Sequence, residues 1–450
     1  MVRVTDMTHG RPIRLILLFA LPLMLGSVFQ QLYTIVDTII IGRGVGMQAL
    51  ASIGAADWIN WLVLWGLQGF TQGFAILVAQ EFGAGAYDRL RRVLAMIVKL
   101  SCWFGIAVTI ISLVLVRPLL TLLHTDPAVF GGAQTYLYVQ FGGSLIIIAY
   151  NMAAAVLRCL GDSRTPLFAI IAASFANIAL DLLFVMGFGW GIFGASFATV
   201  LAQLIAFLLC LRSLRRLPFV QLTKADWKTD PAILLHLCRL GIPTGLQMSM
   251  ITLGGMVLQS VLNGFGVVFV AGYTAANKLY GILESASVAF GYAMTAYMGQ
   301  NRGARNAARI DAGIRAVLVL SAEFTAAIVT AMLVAGKPLL GLFLSTEEAG
   351  AAEALAVAYQ YLMVLMAFLF ALFMLQAYRS SLQGLGEMTV PTLSGFAEML
   401  MRMGAALVLP TFIGQSGVFF AEGAAWVCAA ALNLVWYYMR IGKIKRDMLK

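Results

Sequence analysis

Charge is what this sequence has least of. Of its 450 residues only 11% are Asp, Glu, Lys or Arg, while 61% are hydrophobic; ordinary soluble domains are roughly a quarter charged. With a mean hydropathy of +0.90, the chain has no stretch that would build a sizeable water-soluble domain. Cysteine is scarce as well. Cys102, Cys159, Cys210, Cys238 and Cys428 are scattered, odd in number and form no CxxC, which argues against a disulfide framework or a zinc site. The three histidines, His9, His124 and His236, fall in the N-terminal tail, a loop and a basic linker, so no histidine metal centre is expected. Catalytic signatures are missing too: there is no GxxxxGK[ST], no GxSxG and no HExxH. One GxGxxG occurs, at Gly189, Gly191 and Gly194, but it lies in a short turn with no strand before it, so it reads as a tight turn and not as a dinucleotide fold. An intramembrane enzyme would need an Asp-rich diphosphate motif or a histidine base, and neither is found. No enzyme and no organic cofactor are therefore expected. Without an ATP motif, any uphill transport must run on an ion gradient.

What the chain does have is long apolar runs. A membrane-crossing helix needs about 20 apolar residues, and twelve runs qualify: 15–41, 49–79, 93–116, 134–157, 166–187, 191–211, 241–263, 270–298, 314–336, 356–378, 391–413 and 417–439. The first is preceded by Arg3, Arg11 and Arg14, like a signal peptide, but it continues through Gln30, Gln31 and Asp37 and reads as an uncleaved first span. Net charge is +10, and the basic residues sit in the gaps between runs, so membrane sidedness explains them better than nucleic acid does. With the N-terminus placed in the cytoplasm, nearly all 30 Lys and Arg fall on that side, from Arg3 to Lys450. The exceptions are Arg43, Arg117 and Lys337 outside, and Lys99, Lys278 and Arg402 within spans. Both termini are expected to be cytoplasmic, in a prokaryotic plasma (inner) membrane.

The chain also repeats itself. Arg117-Pro118-Leu119-Leu120 recurs as Lys337-Pro338-Leu339-Leu340, and Ala55-Ala56-Asp57 as Ala275-Ala276-Asn277, both at an offset of 220; Pro22 answers to Pro243 at 221. Leu160-Gly161-Asp162 and Pro166 answer to Leu385-Gly386-Glu387 and Pro391 at 225. The expected fold is an all-α membrane protein of twelve spans, built as two parallel six-helix repeats around a central cavity. Its parts would be an N-lobe over residues 1–217, a cytoplasmic linker over 218–236 and a C-lobe over 237–450.

Ionised groups at bilayer depth cost at least about 3 kcal/mol on insertion scales, so each one needs a reason. The N-lobe places Asp37 in span 1 and Asp181 in span 5. Gln30, Tyr33 and Asp37 share one helical face, as do Asn177 and Asp181. Asp37, Asn177, Asp181 and Thr199 of span 6 all fall in the outer half of the same lobe. Two carboxylates, an amide and a hydroxyl offer only oxygen donors, which suit a hard cation such as Na⁺, and the paired acids would equally share a proton. The alternative is that these groups only hydrogen-bond across helices and lock the bundle. In the C-lobe the acids are Glu284, Glu323 and Glu398. Glu398 and Arg402 lie at i and i+4 and read as an intrahelical pair, while Glu284 is a candidate for the cavity wall. Trp58, Trp61 and Trp65 read as an interfacial belt. The 22 methionines fit a soft surface for varied apolar ligands.

Leu21-Pro22-Leu23-Met24-Leu25-Gly26, Gln30-Gln31-Leu32-Tyr33 and Val36-Asp37-Thr38 resemble span 1 of multidrug and toxic compound extrusion transporters. Ala49-Leu50-Ala51-Ser52-Ile53-Gly54, Gln80-Glu81-Phe82-Gly83-Ala84-Gly85 and Arg158-Cys159-Leu160-Gly161-Asp162 extend the likeness, which runs through the whole chain. The resemblance implies antiport: export of lipophilic, often cationic compounds against Na⁺ or H⁺. It is closer to the DinF-type branch, which implies a cation site at Asp37, Asn177, Asp181 and Thr199, a cavity face at Gln30 and Tyr33, and an asparagine in span 4, for which Asn151 is the candidate. NorM-type members carry an acid in span 7, and 241–263 has none. The implied partners are a small lipophilic substrate and membrane lipid, with no nucleic acid, and the protein is expected to act as a monomer. A lipid-linked oligosaccharide or cell-wall precursor flippase is the competing reading; it would need a basic cavity, for which only Lys278 and Arg402 are available.

Overall fold

The computed structural model describes residues 4–343 and 350–449, so Arg3 and Lys450, two of the charges used to assign sidedness, lie outside the described residues. Among those residues there are thirteen α-helices and no strand. They are α1 (Pro12–Gly44), α2 (Met47–Gly83), α3 (Tyr87–Leu122), α4 (Pro127–Gly142), α5 (Ser144–Cys159), α6 (Arg164–Asp181) and α7 (Gly191–Arg215). There follow α8 (Pro231–Asn263), α9 (Val267–Gly303), α10 (Ala307–Gly341), α11 (Ala351–Gly384), α12 (Thr389–Ile413) and α13 (Phe420–Leu449).

These helices make twelve spans. Ten are long and apolar enough on their own, and α4 with α5 forms one crossing bent by 50° at Gly143. The twelfth is α9, 37 residues long, whose middle carries Lys278 and Glu284 and so falls short of the others in apolarity. Helix α6 runs on through a π-helical turn, Leu182–Gly187, that begins immediately after Asp181. Such turns are rare and often mark functional positions. The Gly189 and Gly191 pair that mimics part of a dinucleotide motif adopts positive φ, 68° and 57°, which L side chains rarely tolerate. Those glycines make the turn into α7.

The chain divides into two compact units. The first comprises Met1–Asp6 and Leu21–Gly245, the second Met7–Ala20 and Leu246–Lys450. Within the first, α2 packs on α3, α4 and α5, and α7 packs on α4, α5 and α6. Within the second, α9 packs on α10 and α11, α11 on α10 and α13, and α12 on α13. Contacts α2–α3, α2–α5, α3–α5, α5–α7 and α6–α7 of one unit thus have counterparts α9–α10, α9–α11, α10–α11, α11–α13 and α12–α13 in the other. This is the repeat seen in the sequence, now as packing.

The unit boundaries differ from those expected at 217 and 237. The start of α1 is grouped with the second unit and the start of α8 with the first; each helix is divided next to its internal proline, Pro22 or Pro243. A close helix crossing explains the placement of residues 231–245. A Cβ on Gly69 would come within 2.6 Å of the Thr244 carbonyl, and one on Gly73 within 2.6 Å of Gly241 Cα. Two small-xxx-small faces, Gly69 with Gly73 and Gly241 with Gly245, therefore let the backbones of α2 and α8 touch. Lipid supplies no hydrophobic drive for helices to associate, so such close packing has to hold them together.

The linker is fastened to the first unit. Lys99 donates to the Trp227 carbonyl at 2.6 Å and to Thr229 Oγ1 at 2.9 Å, so its charge belongs with the linker and not inside a span. Asp226 caps its own short turn through the Thr223 N–H and hydroxyl and faces Arg91 at 3.5 Å. Burial opposes its ionisation, but the Thr223 donors and Arg91 outweigh that, and the carboxyl titrates below its usual range. In the second unit the N-terminal tail is held just as firmly. Met7, fully buried, donates its N–H to Gln300 Oε1 at 2.8 Å and accepts from Asn301 and Arg309. Lys445 near the C-terminus pairs with Asp311, so both tails meet the start of α10.

Candidate functional site

The first unit contains a cavity of ≈ 40 Å³ whose walls include Gln30, Tyr33, Tyr150, Asn177, Thr199 and Gln203. A single water needs about 10–15 Å³, so this space admits a small ion with a water or two and excludes a drug-sized molecule. Four helices, α1, α5, α6 and α7, supply the walls, and heptad-like spacing explains the choice of side chains: Gln30 and Tyr33 are one turn apart on α1, Thr199 and Gln203 one turn apart on α7.

Asp37 and Asp181 are not among the residues that line this cavity; each lies one helical turn from one that does, Tyr33 and Asn177 respectively. Their carboxyl groups face each other at hydrogen-bonding range, and Tyr33 lies in the field of both. Asp181 is fully buried and Asn177 is 1% exposed. Both oxygens of Asp181, Oδ1 of Asp37, both polar atoms of Asn177 and Oε1 of Gln203 are buried with no hydrogen-bond partner. An unsatisfied buried polar group costs about 1–3 kcal/mol, and more when charged. The five oxygens among them make a poor structural element and a good cradle for a positive charge, while the Asn177 amide nitrogen, a hydrogen-bond donor, takes no part in it. An all-oxygen set is what a hard monovalent cation or a shared proton requires.

Thr199 lines the cavity while its hydroxyl donates to the Ala195 carbonyl at 3.2 Å, which leaves its oxygen lone pairs available. Asn151 is not among the residues lining the cavity; its amide donates to Ile147 of its own helix at 2.9 Å. The neighbouring Tyr150 takes the lining position instead, because one residue along a helix turns the side chain by about 100°. Glu284 lies in the second unit, among Tyr280, Glu422, Arg402 and Glu398.

Sequence reasoning overlooked several groups. Gln203 was findable, being one turn beyond Thr199. Asp57 of α2 is a further acid well inside an apolar run, visible in the sequence only as half of a repeat correspondence. Tyr136 of α4 lies in the field of Asp57, Asp37 and Tyr33. In the second unit Glu422, within the twelfth apolar run, bonds Arg402 at 2.7 Å, and Arg402 also bonds Glu398 at 3.2 Å and the Ile251 carbonyl at 3.0 Å. Arg379, sorted by sequence to the cytoplasmic end, is 3% exposed and pairs with Glu398. The intrahelical pair expected from the i, i+4 spacing is present, but as one link of a chain joining α11, α12 and α13.

Comparison with known proteins identifies the framework. The MatE family model matches residues 22–183 and again residues 243–408; the two matches begin at Pro22 and Pro243, the prolines that correspond in the repeat. The "Probable multidrug resistance protein YpnP" of Bacillus subtilis (strain 168) is 31% identical over 98% of this chain and 97% of its own length. The multidrug export protein MepA of Staphylococcus saprophyticus is 22% identical over 94% of this chain and 93% of its own. Among solved structures, an outward-facing multidrug resistance MATE family transporter of the MOP superfamily superimposes with a TM-score of 0.90 at 24% identity, covering 99% of both chains. With its two family matches spanning most of the chain, the protein belongs to the MATE family of multi-pass membrane transporters.

Proposed function

We propose that this protein is a cation-coupled antiporter that exports lipophilic, cationic drugs or metabolites by alternating access, driven by Na⁺ or H⁺. The observation that carries this reading is the Asp37–Asp181 pair, whose buried oxygens lack donors next to a cavity of ion size. The multidrug resistance and export functions named for YpnP and MepA support the substrate class. In this reading Asp37, Asn177, Asp181 and Thr199 hold the coupling ion, and Gln30 and Tyr33 contact substrate on the same face of α1. With both acids ionised, like charges repel at close range; a bound Na⁺ or a proton removes that repulsion and draws α1 and α6 together. The face of α1 that carries Gln30 and Tyr33 then shifts with the state of the pair, which couples ion occupancy to substrate affinity.

The branch is DinF-like: α8 between residues 241 and 263 carries no acid. The protein resides as a monomer in the prokaryotic plasma membrane with both termini cytoplasmic. The contacts of Lys99 with the linker, Arg309 with the N-terminal tail and Lys445 with Asp311 gather basic residues at the ends assigned to that side. The test is ion-driven efflux from proteoliposomes. Asp37→Asn and Asp181→Asn should each reduce it at least about a hundredfold while the purified protein keeps its helical content and melting behaviour. Undiminished efflux in both variants would sink the assignment.

A further inference from the structure

The first unit holds a second group of polar side chains, on the α2–α4 interface, that the Asp37–Asp181 pair does not use. Asp57 and Asn60 are three residues apart and share one face of α2. That face meets α4, where Ala56 and Ile59 pack on Ala133, Leu137 and Phe141. Asn60, 4% exposed, donates its Nδ2 to the Tyr136 hydroxyl at 3.3 Å. Its Oδ1 is buried and has no partner. Tyr136 in turn is hydrogen-bonded to Gln140, one turn along α4 and 3% exposed, and lies in the field of Asp57 first and of Asp37 and Tyr33 after it.

A purely structural role accounts for Nδ2 of Asn60 and not for the orphaned Oδ1. A buried amide oxygen beside a carboxylate and a phenol oxygen is what a small cation needs. One carboxylate with two or three neutral oxygens matches a single positive charge; a divalent ion takes six or more oxygens and usually more than one carboxylate. Asp57 is half-buried, so an ion can reach it.

We propose that Asp57, Asn60, Tyr136 and Gln140 form a second monovalent-cation station in the first unit, for Na⁺ or a proton, distinct from the Asp37–Asp181 site and linked to it through Tyr136. The station rests on the antiport reading only for its purpose; its existence is testable alone. Tyr136 connects the two stations, so occupation of one changes the field at the other, and two ions can enter the lobe in sequence.

The test uses the full chain in nanodiscs. One arm titrates Na⁺ calorimetrically at fixed pH, and the other measures protons released in a pH titration without Na⁺; the arm that shows an Asp57-dependent class identifies the ion. The wild type should show two classes of site. Asp57→Asn should remove one class or weaken it at least about tenfold and leave the other. Asn60→Ala should weaken the same class and reads the site even if Asp57→Asn fails to fold. Asp181→Asn should remove the other class and spare this one. Wild-type stoichiometry and affinity in Asp57→Asn and Asn60→Ala would overturn the station, as would a wild type whose entire binding disappears in Asp181→Asn. Unchanged binding in Asp181→Asn alone would instead count against the antiport reading, so the two failures are separable.

Discussion

Arg402 shows what one buried charge demands of its surroundings. Its guanidinium bonds Glu398, Glu422 and the Ile251 carbonyl, and Arg379 bonds Glu398 from the other side. Removing one partner of such a network strands the rest, at a cost of about 3–5 kcal/mol. Arg402→Met is therefore expected to lower the melting temperature of the detergent-solubilised protein by several degrees; an unchanged melting curve would show that the network is incidental. Only its first link was legible in the sequence, because i, i+4 spacing fixes neighbours on one helix and says nothing about Arg379 or Glu422 on others. The N-lobe site shows the same limit. Asp37, Asn177 and Asp181 stood out as costly residues at one depth. Asp57 entered the sequence reading only as half of a repeat correspondence, and Asn151, the asparagine implied by the resemblance, gives way at the cavity to its neighbour Tyr150, which helical rotation turns inward.

At the scale of elements, the apolar runs located every span, since about 20 apolar residues have no other stable use in a chain this poor in charge. What they did not reveal is where a span breaks. The bend of 50° between α4 and α5 falls at the Gly142–Gly143 pair and the π-helical turn follows Asp181, and neither interrupts the apolar run. The α2–α8 crossing was equally hidden, since a glycine four residues from another is common and only its partner makes it a contact. Here the space is decisive. A Cβ on Gly73 meets the backbone of α8 at 2.6 Å, while one on Gly404 of α12 meets nothing within 4 Å. Gly73→Ala should destabilise the protein by about 1–3 kcal/mol through overpacking. Gly404→Ala should be neutral or stabilise it by up to about 1 kcal/mol through helix propensity. Thermal unfolding of the two variants side by side checks the contrast, and equal effects would remove the crossing from the account.

For the molecule as a whole, the offsets of 220 to 225 made the repeat readable, and the paired contacts of the two units and the two family matches bear it out. Chemistry does not follow that symmetry. Within its spans the first unit keeps buried oxygens of Asp37 and Asp181 without donors, whereas the second ties Glu398 and Glu422 to two arginines. A group without a donor can take up and release a positive charge; one bound by arginine is already neutralised. On the proposed function ion coupling belongs to the first unit, and this division of labour is the central claim. It is tested most directly by counter-movement in proteoliposomes loaded with a lipophilic cationic dye and given no ion gradient. Dye leaving down its own gradient should drive Na⁺ or H⁺ the opposite way in the wild type, and in Arg402→Lys, but not in Asp181→Asn. Dye efflux with no ion movement in the wild type, or equal ion movement in Asp181→Asn, would contradict it.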